Sequence, residues 1–191
     1  MTEEETKNHS ENQLTVQEAE LGLTFLLDSS FILALLNPRD PNHKPASGVF
    51  GFICPYNCRF HIPLYVFAEV ISKKIQEEKI VSSAFKKLEN FLKQINNAGI
   101  LITGINPNLD EIISRYKKVA RKKIRFLQSN DFIIATEGIL SKSIILTCDH
   151  GMYEKVKKYY SDIYYVASHS AKYKDDISKV TKKVLQLTKK P

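Results

Sequence analysis

At 191 residues and 43% apolar content the chain can build one globular unit with a sizeable core and extensions to spare. Its formal net charge of +7 divides unevenly: residues 1–20 hold six Glu against one Lys, so the remaining 171 residues carry +12, a surface that favours polyanions, nucleic acid ahead of membrane. Three cysteines, Cys54, Cys58 and Cys148, form an odd set with no secretory leader before them, which argues against a disulfide framework and for a reducing, cytoplasmic setting.

Residues 1–20, MTEEETKNHSENQLTVQEAE, are acidic and lack apolar periodicity, which predicts a disordered tail. LGLTFLLDSSFILALL, residues 21–36, is preceded by acids and split by Asp28, so it reads as strand, turn and helix rather than as a signal peptide or a membrane span. Through residues 21–168 short apolar runs alternate with longer segments of helical period, the pattern of a parallel α/β domain. Five strands are predicted, at Leu23 to Leu27, Arg59 to Ile62, Ile100 to Thr103, Ile144 to Thr147 and Ile163 to Val166. Helical segments fall between them, among them PLYVFAEVISKKIQEEK, SSAFKKLENFLKQINNA, NPNLDEIISRYKKVARKK and SNDFIIATEGILSK. NPRDPNHKPASGVFGFICPYN, residues 37–57, is ambiguous, because its prolines and glycines interrupt the helical period of ASGVFGFI. Residues 169–191 close the chain as a basic amphipathic helix or tail, with Ile177, Val180, Val184 and Leu187 on one side and Lys179, Lys182 and Lys183 on the other.

In a parallel sheet the C-terminal strand ends share one edge, so acids scattered in the chain converge there. Asp28 follows the first strand, Asp149 follows the fourth, Asp131 opens the helix before the fourth, and Glu69 sits inside the apolar run PLYVFAEVIS. Singly, each has an ordinary explanation, as a helix cap, a dipole partner or a lysine pair. Together they would repel one another and raise one another's pKa unless a cation neutralised them. An all-carboxylate rim suits Mg²⁺ or Mn²⁺, hard ions that keep several waters. Zinc fits poorly: His9, His43, His61, His150 and His169 fall at no ligand spacing, and Cys54 with Cys58 has no second pair.

On these residues the sequence resembles the PIN-domain nucleases, and among them the VapC-type toxins. FLLDSSFILALLNPRDPNH is similar to the family's opening motif, PLYVFAEV to its second, SNDFIIATEGIL to its third and IILTCDHGMYEKV to its fourth. The resemblance runs from Leu23 to Val166, in order, and implies a three-layer α/β/α fold around a mostly parallel sheet of about five strands. It also implies that Asp28, Glu69, Asp131 and Asp149 bind Mg²⁺ or Mn²⁺, with Ser29 and Ser129 as supporting hydroxyls, in an endoribonuclease. The acidic leader and the basic C-terminal helix exceed the compact toxin form.

The partners this implies are RNA and, for a toxin, a small antitoxin protein. No membrane partner is expected, and the apolar face of SSAFKKLENFLKQI offers a surface for a homodimer. RYKKVARKKIR, residues 115–125, is a solvated helix face or a phosphate-contacting one, with Arg115, Lys118, Arg121 and Lys122 as the RNA-contact candidates. His150 adjoins Asp149 and is either a turn residue or a further phosphate contact. The alternative from another class is a PIN-fold RNA-binding or scaffold protein without activity. A phosphotransferase of the haloacid dehalogenase kind would require a second Asp where the chain has Ser30.

Overall fold

The computed structural model describes residues 23–56, 58–77, 81–96, 100–103, 129–168 and 171–188. In chain order the elements are β1 (Thr24–Leu27), α1 (Ser29–Leu36), α2 (His43–Ile53), β2 (Arg59–Pro63), α3 (Leu64–Glu77) and α4 (Val81–Asn96). They continue with β3 (Ile100–Thr103), α5 (Ser129–Leu140), β4 (Ile144–Thr147), α6 (His150–Val156), β5 (Ile163–Tyr165) and α7 (Ala171–Thr188). Every strand lies within one residue of its predicted bounds. The reason is physical: a parallel strand is covered on both faces, so it appears as an unbroken apolar run. All of β4, and Phe25, Leu26 and Leu27 of β1, are buried.

The five strands pair in parallel in the order β3-β2-β1-β4-β5, with Leu26 opposite both His61 and Ile145. The chain moves one way from β1 to β3, then returns past β1 to β4 and β5. Right-handed crossovers therefore put α1 to α4 on one face of the sheet and α5 and α6 on the other. The packing agrees, since α1 touches α2, α3 and α4, while α5 packs on α6. A chain of tilted rings, Phe25 to Phe60 at 6.3 Å, Phe60 to Phe50 at 5.4 Å and Phe50 to Phe91 at 5.9 Å, ties β1 and β2 to α2 and α4.

The ambiguous segment contains α2. Pro45 is its third residue, where a missing N–H breaks no intrahelical bond. Ala46, Val49, Phe50 and Ile53 are buried at helical spacing, whereas Gly48 and Gly51 face open space. The glycines weaken the local signal without touching the packed face. Gly138 in α5 is different, because an added Cβ there would lie 2.5 Å from Ile145 Cδ1 and 2.8 Å from Cγ1, fixing how closely α5 lies on β4. Gly48→Ala is thus expected to stabilise the fold by about 0.5–1 kcal/mol. Gly138→Ala is expected to cost about 1–3 kcal/mol through overpacking, and urea unfolding of the two variants measures the opposite signs.

The basic C-terminal helix docks on its own fold. Asp176, Val180 and Val184 of α7 are buried, the helix packs on β5 and α2, and the Asp176 carboxylate accepts from the Tyr165 amide at 3.4 Å. Lys183 pairs with Asp162, and Lys179 and Lys182 remain exposed. The apolar face of α4, the expected dimer contact, buries Leu88 and Phe91 within this chain and leaves Phe85 exposed. The three cysteines are free, and burial pushes all three thiols up, Cys58 to about 12. Among the described residues no helix is long and apolar enough to cross a membrane.

Candidate active site

The strand order reverses between β1 and β4, and in open α/β sheets that reversal opens a crevice at the C-terminal strand ends. Asp28 leaves β1 at this point and Asp149 stands two residues beyond β4. Asp28 occupies the N-cap position of α1 yet makes no capping bond, and its residue is only 4% exposed. A buried carboxylate that gives up the cap needs other partners.

Two hydroxyls supply them. Ser30 Oγ donates to Asp28 Oδ2 at 2.5 Å and Thr147 Oγ1 donates to the same oxygen at 2.8 Å. Each hydroxyl is oriented by a backbone amide, since the Cys148 N–H donates to Ser30 Oγ and the Asp149 N–H donates to Thr147 Oγ1, both at 2.9 Å. With amide protons on their lone pairs, both hydroxyls direct their own protons at Asp28. The network joins the end of β1 to the end of β4 across 119 residues.

Burial dominates the Asp28 carboxyl and raises its pKa; the Ser30 and Thr147 hydroxyls and the Ser29 amide oppose this, and the Asp149 carboxylate adds to the rise. Asp149 is exposed, and its Oδ1 accepts from the Met152 N–H at 3.0 Å, capping α6. Its ordinary role as a helix cap and its place beside Asp28 coexist.

The other two predicted acids each pair with a lysine. Glu69, in the second turn of α3, pairs with Lys73 at 2.6 Å, and Asp131, in the first turn of α5, pairs with Lys155 at 3.1 Å. No group of three or more His, Cys, Asp or Glu side chains that could hold a metal ion occurs among the described residues. Asp28 and Asp149 offer carboxylate oxygens, donors of the kind that hard divalent ions prefer.

Of the supporting hydroxyls expected from sequence, Ser29 Oγ lies 3.5 Å from Asp28 Oδ1, at the outer limit of a hydrogen bond, and Ser30 and Thr147 make the shorter contacts. The Ser129 side chain lies outside those described, as do Arg115, Lys118, Arg121 and Lys122. His150 is exposed on α6, 3.6 Å from Glu154 Oε1 and edge-on to the Tyr165 ring at 5.6 Å. Thr147→Val is expected to cost about 1–3 kcal/mol, because it leaves the Asp149 amide and a buried carboxylate short of a partner, while Ser29→Ala changes stability by less than about 0.5 kcal/mol. Chemical denaturation of both variants measures the contrast.

The sequence matches no protein-family model and no curated protein. Among solved structures, a chain of the VapBC2 complex from Rickettsia felis, determined bound to a DNA fragment from its promoter, superposes with a TM-score of 0.55 at 14% identity, covering 75% of this chain and 98% of that one. The likeness shows the fold, a PIN-like α/β arrangement of helices around a parallel sheet. A domain of a functionally unknown protein from Methanocaldococcus jannaschii matches it with a TM-score of 0.50 at 16% identity, over 78% of this chain and 94% of that one. In this PIN-like fold Asp28 and Asp149 flank the reversal of strand order, and the hydroxyls of Ser30 and Thr147 lie between the two strand ends. Ser30 and Thr147 were within reach of sequence reasoning, since each lies within two residues of a predicted acid. The signal that selects them, a hydrogen bond from one strand end to the next, exists only once the sheet is assembled.

Proposed function

We propose that the chain is a metal-dependent endoribonuclease whose centre is the pair Asp28 and Asp149. The observation that supports this most is Asp28 itself, a buried carboxylate that two hydroxyls hold toward a crevice when it could have capped its helix. Folding a charge into that position is costly unless something else uses it. A bound Mg²⁺ or Mn²⁺ supplies Lewis-acid chemistry that activates a water and stabilises the leaving oxygen of a phosphodiester.

The residues of the chain have separate tasks. Asp28 and Asp149 present oxygens to the ion, Ser30 and Thr147 fix the direction of Asp28, and Asp131 and Glu69 are further ligands once released from Lys155 and Lys73. The basic segment containing Arg115, Lys118, Arg121 and Lys122, together with His150, provides positive charge for the RNA backbone. The promoter-bound VapBC2 neighbour favours an antitoxin as a protein partner for this chain as well.

A second reading, a PIN-fold RNA-binding protein without activity, draws support from the absence of an assembled three-ligand group among the described residues. Incubating the purified chain with a structured RNA pool in EDTA, Mg²⁺ or Mn²⁺ separates the two. The nuclease cleaves only with metal and leaves 5′-phosphate ends. Tight RNA binding with no cleavage in any metal contradicts it.

A further inference from the structure

We propose that the rings of His150 and Tyr165 form a base-stacking platform beside Asp28 and Asp149, and that the RNA substrate is a single strand with one of its bases laid on that platform. This rests on the nuclease reading above and deepens it, naming the strandedness of the substrate and the side chains that select it.

Three observations carry it. First, the hydrogen-bonded sheet places the rings at the acid pair. Tyr165 ends β5 and is the register partner of Thr147, whose hydroxyl donates to Asp28 at 2.8 Å. Register partners in parallel strands carry their side chains to the same face, with the strands about 4.8 Å apart. His150 directly follows Asp149 in the chain. Second, the rings are fixed. His150 meets Tyr165 edge-on, with centroids 5.6 Å apart and 70° between the planes, and the buried Tyr153 stands 5.8 Å from the same Tyr165 ring. The Tyr165 amide donates to Asp176 of α7 at 3.4 Å. Third, solvent reaches the pair: the His150 side chain is 56% exposed and Tyr165 is only partly buried. A cation lies close by, because the second oxygen of Asp176 accepts from the exposed Lys179 ammonium at 3.3 Å.

Rings so placed suit one kind of ligand. In an edge-on pair, one ring keeps both of its faces clear of the other. Every nucleobase has a π-face, so a base stacks on such a ring whatever its identity. The bases of an RNA duplex are already stacked on one another and show a protein only their edges, so the platform offers a duplex nothing. Lys179, one carboxylate away from the Tyr165 backbone, supplies positive charge for a neighbouring phosphate of the same strand. His150 thereby gains a second task beside the one proposed above: its ring holds a base next to the phosphate that the acids address.

The test is binding of a short single-stranded RNA carrying one fluorescent aminopurine base to the full chain in EDTA, where metal-dependent cleavage does not interfere. The wild type is expected to bind the strand and quench the base by stacking. Tyr165→Ala and His150→Ala are expected to bind it about five- to a hundredfold more weakly and to lose most of the quenching, whereas Tyr165→Phe keeps the ring and binds like the wild type. Tyr159→Ala removes an exposed ring beyond the end of α6 and changes nothing. The same RNA annealed to its complement separates stacking from damage to the fold, since both alanine variants leave duplex affinity as it was. Alanine variants that bind the single strand as tightly as the wild type overturn the proposal, as does an equal loss on the duplex or wild-type binding without quenching. Each of these results leaves the nuclease reading standing. A wild-type chain that binds no RNA, in EDTA or in Ca²⁺, overturns both.

Discussion

Asp28→Asn is expected to melt at a higher temperature than the wild-type chain in EDTA and at a lower one in saturating Mn²⁺. The first half follows from burial. The folded protein holds the Asp28 carboxyl in a desolvated place beside Asp149, so its pKa lies above the ordinary value of 3.8. The folded state then binds that proton more tightly than the unfolded chain does. Its stabilising contribution is complete below the unfolded pKa and is lost as the pH rises toward the folded one. At neutral pH the wild type carries this burden and the Asn variant does not. The expected rise is about 2–4 °C, the equivalent of about 1 kcal/mol in a domain of this size. A scan of stability against pH shows the same effect as a falling slope above pH 3.8 that the variant lacks. The second half follows from linkage, since an ion that binds only the folded state stabilises it by about 2.7 kcal/mol at a hundredfold excess over Kd. The Asn variant forgoes that gain. A variant that melts lower than the wild type in both conditions would mean that Asp28 is held for structure alone.

Asp149→Asn separates fold from chemistry more sharply. Asp149 caps α6 through Oδ1, and Asn caps helices about as well as Asp. The variant should therefore fold and melt like the wild type in EDTA, within about 0.5 kcal/mol. Cleavage of RNA should nevertheless fall by more than 10²-fold, since partners that merely support a metal ligand already cost about 10- to 100-fold when removed. Asp149→Ala would lose the cap as well, and its loss of activity would be confounded by about 0.5–2 kcal/mol of helix stability. Rates of cleavage measured in Mn²⁺ on matched, folded samples decide the matter, and an Asn variant that cleaves at the wild-type rate would remove Asp149 from the reaction.

How much of this was legible in the sequence depends on the range of the interaction involved. The strands were legible because burial on both faces writes them as local runs such as IILT and TFLL. The placing of Asp28 and Asp149 at the sheet edge was legible because a carboxylate one or two residues after such a run lies there. The helix α2 was not, because Pro45, Gly48 and Gly51 depress its local signal while none of them lies on its buried face. The resemblance implied Ser29 as a supporting hydroxyl, whereas the short contacts to Asp28 come from Ser30 in the first turn of α1 and from Thr147 at the neighbouring strand end. The pairing of the charges was hidden most deeply. Lys155 meets Asp131 only because α5 and α6 pack together, and Lys74, 2% exposed and bonded to Glu77 at 2.6 Å, continues the buried stripe of Val66 and Val70 where an apolar residue would be expected. Composition counts such lysines as surface charge.

The central claim is that Asp28 and Asp149 hold a divalent ion between the ends of β1 and β4. An anomalous difference map from a crystal grown in Mn²⁺ addresses it most directly. A peak bonded to oxygens of both carboxylates, with Ser30 and Thr147 still on Asp28, is the predicted result. Manganese bound elsewhere, with that crevice holding none, would contradict it.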